Sequence, residues 1–198
     1  MNIVCLDLEG VLVPEIWINV ANKTNTKELL LTTRDISDYD KLMRYRLKIL
    51  KEKNIKYKDI FEIINNLSPL DGAIEFLNNL REKYQVIILS DTYYDFAMPL
   101  MKKLNYPTLF CHKLVIDKDD YIIDYKLRIK NSKKEAVKRL KQLKFKVIAS
   151  GDSYNDIDML KKADKGILFC PPQNVIKEFP QFPIANNYKE LLNEIYKS

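Results

Sequence analysis

The 198 residues are 46% hydrophobic, with only 4 glycines and with 33 Lys+Arg against 27 Asp+Glu, a formal net charge of +6. This content suits one medium domain carrying a small insertion and excludes a disordered or low-complexity chain. No apolar run reaches the ~18 residues of a membrane span, and three dispersed cysteines with a single histidine exclude a disulfide framework and a structural zinc site.

The first ten residues set the pattern. Ile3 to Leu6 is apolar on both alternating faces, which predicts a buried strand. Asp7 and Glu9 follow at its carboxyl end, on the same side by period-two geometry, where open α/β sheets bind ligands. Val11 to Glu15 reads as a loop leading away. From Trp17 to Leu67 the pattern is helical. Asp38 is the expected N-cap of a helix whose apolar face carries Leu42, Met43, Leu47 and Leu50. Ile60, Ile63, Ile64 and Leu67 repeat that spacing, and Ser68-Pro69 marks the return.

Helices and strands then alternate. Leu70 to Lys83 and Asp95 to Leu104 read as helices, and Val86 to Leu89 as a strand ending at Ser90-Asp91-Thr92. Thr108 to Cys111, Lys113 to Ile116 and Tyr121 to Tyr125 read as three short strands. Lys133 to Leu143 is a basic amphipathic helix. Lys146 to Ala149 is a strand ending at Ser150-Gly151-Asp152-Ser153-Tyr154-Asn155-Asp156, and a helix carrying Met159 and Leu160 follows. Gly166 to Phe169 is a further strand, stopped by Pro171-Pro172, and Tyr188 to Tyr196 is a closing helix. The expected fold is α/β, a doubly wound, Rossmann-like parallel sheet with right-handed crossovers. Residues 1–15 and 69–198 form its core, and residues 16–68 a small helical cap inserted after the first strand.

In such a sheet the ends carrying Asp7/Glu9, Ser90 and Asp152/Asp156 share one edge. Each acid alone reads equally as a solvated strand end or a helix cap. Together they repel, and clustered acids persist where a cation or a shared proton compensates. Carboxylates without histidine or cysteine suit a hard, oxygen-liganded ion, Mg²⁺. A hydroxyl, Ser90, and a cation, Lys133, suit phosphate oxygens. Lys133 competes for that role with Lys130 and Lys134, and His112 reads as a structural strand-end residue.

Asp7-Leu8-Glu9-Gly10, Ser90-Asp91-Thr92, Lys133 and Gly151-Asp152-Ser153-Tyr154-Asn155-Asp156 resemble, in order and separation, the four motifs of the haloacid dehalogenase superfamily. The helical insert is similar to the cap of its phosphoserine phosphatase branch. Cys5 to Trp17, Leu89 to Thr92, Cys111 to Leu114 and Val175 to Pro183 resemble the ThrH-type branch, which joins phosphoserine phosphatase and homoserine phosphotransferase activities. Glu9, where the superfamily usually has Asp, and Asp91-Thr92 after Ser90 both agree with that branch.

The resemblance implies a cytoplasmic, Mg²⁺-dependent enzyme of serine or threonine supply. Asp7 would be the nucleophile and Glu9 the general acid and base. The ion would sit on the Asp7 and Asp152 side chains and the Glu9 carbonyl, with Asp156 in its outer shell. Ser90, the Asp91 amide and Lys133 would grip the phosphoryl group, with Asn155 beside it. Glu15 would read the substrate ammonium and Arg46 its carboxylate. The implied partners are O-phosphoserine, serine and homoserine, with no nucleic acid and no membrane. Small enzymes of this kind often pair as homodimers. The competing readings are hydrolysis of another small phosphate ester and a non-catalytic module binding RNA through the basic helix. The absence of a secretory leader pattern accords with the cytoplasmic expectation.

Overall fold

The computed structural model describes residues 1–32, 35–36 and 38–197. Strand β1 (Asn2–Leu6) runs parallel to β2 (Gln85–Tyr93) on one side and to β5 (Lys146–Gly151) on the other. Beyond β2 lie β3 (Thr108–Ile116), parallel, and β4 (Ile122–Lys126), antiparallel. Beyond β5 lie β6 (Lys165–Phe169) and the two-residue β7 (Ile184–Ala185), both parallel. The described residues thus form a seven-stranded sheet in the order β4-β3-β2-β1-β5-β6-β7. It is the expected α/β fold, mostly parallel, with one antiparallel edge.

The central place of β1 explains its unbroken apolar run. Val4 and Leu6 enter one apolar cluster, with α4 (Ala73–Arg81), α5 (Tyr94–Lys103) and α9 (Tyr188–Tyr196). Ile3 and Cys5 enter a second on the opposite face, with α6 (Ser132–Gln142), α7 (Ile157–Lys162) and α8 (Gln173–Glu178). Burying such a side chain contributes ~1.5–3 kcal/mol, so a polar residue on either face of β1 would cost the sheet its anchor.

Between β1 and α4 lie α1 (Ile16–Lys23), a 3₁₀ turn (Lys27–Leu30), α2 (Tyr39–Glu52) and α3 (Tyr57–Asn65). Asp38 caps α2 as expected, accepting from the Lys41 N–H at 3.0 Å. Val20, Met43, Leu50 and Ile60 share the first cluster with Phe96 and Leu100 of α5. Pro99 lies inside α5 and cannot donate to the Asp95 carbonyl one turn back. The Tyr57 hydroxyl takes that place, donating to Asp95 O at 3.0 Å and tying α3 to α5.

Two expected strands, Thr108 to Cys111 and Lys113 to Ile116, are one continuous β3. His112 suggested a break because a polar residue interrupts an apolar run. Its ring is buried, with Nδ1 accepting the Arg128 backbone N–H at 3.1 Å, so the strand passes through it at little cost. The β2 strand also runs four residues past Leu89, and its pairing with β3 shifts register between Leu89 and Tyr93. That irregularity takes Ser90, Asp91 and Thr92 out of regular pairing. No helix among the described residues is long and apolar enough to cross a membrane.

Candidate active site

The site forms where β1, β2 and β5 end side by side. The Asp7 N–H donates to Ser150 O at 2.9 Å, holding the exit of β1 against β5. Gly10 turns the chain at φ 77°, and a Cβ there would stand 2.6 Å from Asp152 Oδ2. Only glycine combines that backbone conformation with so close a carboxylate. At Gly151 the Asp156 carboxyl fills the space that a Cβ would need.

Asp7, Lys133 and Asp156 are buried at 4%, 4% and 0% exposure. The Lys133 ammonium lies 2.8 Å from Asp7 Oδ1 and 2.7 Å from Asp156 Oδ1, with Asp91 Oδ2 at 3.8 Å. Burial alone would push Lys133 down. Asp156 and Asp7 outweigh it and hold the ammonium above its ordinary range. Burial and then the Asp156 charge raise the Asp7 carboxyl well above its usual range, against the pull of Lys133. Asp152 is pushed up to about 7, by burial and then by Asp156. Glu9 is also pushed up to about 7, by burial and then by the nearby Glu15 charge. Its Oε2 accepts the Ile16 N–H at 2.8 Å, which satisfies a free amide at the start of α1 and opposes that rise.

Asp91 is a junction. Its Oδ1 accepts from Ser132 Oγ at 3.2 Å and faces His112 Nε2 at 3.6 Å, while Oδ2 accepts from Asn155 Nδ2 at 3.4 Å. Burial would raise this carboxyl, but Lys133 first and then His112 hold it at about 2. The Tyr39 hydroxyl donates to Asp91 O at 3.1 Å.

Asp7, Glu9, Glu15, Arg46, Ser90, Asp91, Lys133 and Asn155 all line one cavity of about 230 Å³. Arg46 reaches it from α2. Its guanidinium carbon sits 4.5 Å from the centre of the Trp17 ring, and Nη2 donates to Leu31 O at 2.8 Å. Its Nε is buried with no hydrogen-bond partner among the described residues. The guanidinium is a largely buried cation that lines the cavity and suits an anion there.

Asp7, Asp152 and Asp156 each offer a carboxylate oxygen within 4.8 Å of the other two. Three hard oxygen donors without sulfur or imidazole, two of them with ionisation disfavoured by burial, fit a small divalent cation such as Mg²⁺. Asp156 is already occupied: Oδ1 holds Lys133, and Oδ2 accepts the N–H groups of Asp152 and Ser153 at 3.0 and 3.2 Å. Asp152 and the second oxygen of Asp7 suit direct ligation better, and Asp156 suits orientation of the loop.

Eight of the residues the sequence singled out thus line this cavity, and Asp152 and Asp156 lie beside Asp7. The structure adds residues that the sequence did not assign. Trp17 and Tyr39 line the cavity, while Ser132 and His112 hold Asp91 from behind. Ser132 sits beside Lys133 in a stretch too lysine-rich to single it out. Tyr39 and Trp17 carry no motif, and their place depends on how the inserted helices pack.

The haloacid dehalogenase-like hydrolase family model matches residues 1–164. Over 198 residues the chain is 56% identical to phosphoserine phosphatase ThrH of Pseudomonas aeruginosa, covering 100% of this chain and 97% of that one. It is 54% identical to a phosphoserine phosphatase of Pseudomonas syringae pv. tomato, covering 100% and 84%. Among solved structures, an apo phosphoserine phosphatase superposes with a TM-score of 0.80 at 23% identity, covering 97% of this chain and 98% of that one. A phospho-aspartyl intermediate analogue of a phosphoserine phosphatase gives 0.79 at 21%, covering 98% of each. At such identities the structural likeness speaks for the fold, while the sequence matches speak for kinship: the chain belongs to the haloacid dehalogenase-like hydrolases.

Proposed function

We propose that this protein hydrolyses O-phosphoserine through an aspartyl-phosphate on Asp7, and that it can pass the phosphoryl group to homoserine. The observation that carries this is a buried carboxylate paired with a buried ammonium, Asp7 Oδ1 to Lys133 Nζ at 2.8 Å, on the floor of a small cavity. Sequence identity of 56% to a phosphoserine phosphatase supports the substrate.

An Asp7 oxygen attacks phosphorus and the bond from phosphorus to the serine oxygen breaks, with Glu9 giving its proton to that oxygen. Glu9, now a carboxylate, takes a proton from water, whose oxygen attacks phosphorus and releases Asp7. If the homoserine hydroxyl occupies the vacated serine place, it attacks instead, at high effective concentration. A raised carboxyl such as Glu9 is suited to both duties. Lys133, Ser90 and the Asp91 N–H hold the phosphoryl oxygens, with Asn155 beside them. Glu15 takes the ammonium and Arg46 the carboxylate. Asp7, Asp152 and the Glu9 carbonyl would hold Mg²⁺, which would supply positive charge against the phosphoryl oxygens. Residues 16–68 act as the cap, which places Arg46 over the site and limits water.

A phosphate-release screen over small phosphate esters with Mg²⁺, with and without homoserine, tests this reading. O-phosphoserine should lead, and homoserine should divert product to phosphohomoserine. Asp7→Asn should abolish turnover and leave the fold intact. Full turnover in that variant, or a covalent adduct trapped on another residue, would remove Asp7 from its role.

A further inference from the structure

His112 is the only histidine in the chain, and the mechanism above does not use it. It is 3% exposed, at mid-strand in β3, with its ring beside that of Tyr93 at 6.4 Å between centroids. Nδ1 accepts the Arg128 backbone N–H at 3.1 Å, so in the neutral ring the proton is on Nε2. That nitrogen faces Asp91 Oδ1 at 3.6 Å. The same oxygen accepts from Ser132 Oγ, the residue before Lys133.

The Asp91 side chain therefore joins β3 through His112, the start of α6 through Ser132 and the loop after β5 through Asn155. On the main-chain side, the Tyr39 hydroxyl holds the Asp91 carbonyl at 3.1 Å. The N–H of this residue is the one the functional reading places on the phosphoryl group. It lies in the stretch where β2 leaves regular pairing with β3. A stretch out of regular register needs side-chain anchors to keep its amides aimed.

We propose that His112 is a positioning residue: it anchors the Asp91 carboxylate, with Ser132, so that the Asp91 N–H and the neighbouring Lys133 stay aimed at the phosphoryl group. It touches no substrate. The inference rests on the functional reading for which end of the substrate lies here, but not on any particular ester being turned over.

The test separates the two ends of the substrate. His112→Phe keeps an aromatic ring and removes the donor, whereas His112→Gln keeps an N–H at nearly the reach of Nε2. Inorganic phosphate and serine are titrated separately by calorimetry in the presence of Mg²⁺, which needs no turnover. The H112F variant should bind phosphate at least a few-fold more weakly, since the 3.6 Å contact of Nε2 with the carboxylate is electrostatic and weaker than a full hydrogen bond to a charged group. Serine binding should be unchanged, and H112Q should recover most of the phosphate affinity. If H112F does not fold, Ser132→Ala removes the other donor to the same oxygen and should give the same split. Equal weakening of phosphate and serine, no weakening of either, or an H112Q as impaired as H112F would overturn the proposal. Failure of wild-type turnover on O-phosphoserine would instead count against the functional reading alone.

Discussion

Replacing Lys133 by methionine removes the cation between Asp7 and Asp156 while keeping most of its volume. Contacts of 2.8 and 2.7 Å are each worth about 6 kcal/mol of attraction at an effective permittivity of ~20. Against this stands mutual repulsion of the two acids, whose oxygens lie within 4.8 Å, of about 3.5 kcal/mol or more. Taking the ammonium out of water costs several kcal/mol more. The balance leaves the lysine favourable by a few kcal/mol, in line with the ~3–5 kcal/mol lost when one member of a buried ion pair is removed. For a chain of this length that is a Tm lower by about 6–20 °C. Urea unfolding at two pH values is the assay. The loss should shrink as pH falls, because protonation of Asp7 then relieves the uncompensated charge. Turnover should fall ~10²–10³-fold, as for other preorganised electrostatic partners. A K133M variant as stable as wild type at neutral pH would mean that the ion pair contributes no net stability. A deficit that does not depend on pH would refute the reasoning.

Metal-free protein should lose stability as pH rises from about 5 to 7, because Glu9 and Asp152 titrate near 7 in the fold and lower when unfolded. In that window the folded state binds more protons, so raising pH favours unfolding. Mg²⁺ should reverse the trend and raise Tm more at alkaline than at acid pH, which scanning calorimetry with and without chelator reads directly. Gly10→Ala should weaken Mg²⁺ binding and destabilise the fold by about 1 kcal/mol or more, since φ 77° disfavours a Cβ and Asp152 occupies its space. A variant with wild-type ion affinity would contradict the close packing. Ser150→Ala should stabilise by up to about 1 kcal/mol in urea, because Ser150 Oγ is buried without a partner among the described residues. A loss of stability there would mean that the hydroxyl is satisfied in solution.

Local pattern alone determined much of this molecule. The unbroken apolar run of β1 announced a strand buried on both faces, and Val4 and Cys5 go to opposite cores as alternation requires. The acids after β1 and β5 were legible as one cluster because the strand ends of a parallel sheet lie along one edge, whatever the loops between them do. Asp38 was legible as a cap because capping is settled within one helical turn. Tertiary structure decided the rest. Helix α5 runs through Pro99 because a hydroxyl from α3 satisfies the freed carbonyl, and nothing near residue 99 signals that partner. His112 reads as a strand break until the Arg128 amide and Asp91 are beside it. The place of Lys133 among its lysine neighbours is chosen by two carboxylates, one 126 and the other 23 residues away along the chain. Polar groups are placed by the need to find partners once water is gone, and those partners come from parts of the chain that only folding brings near.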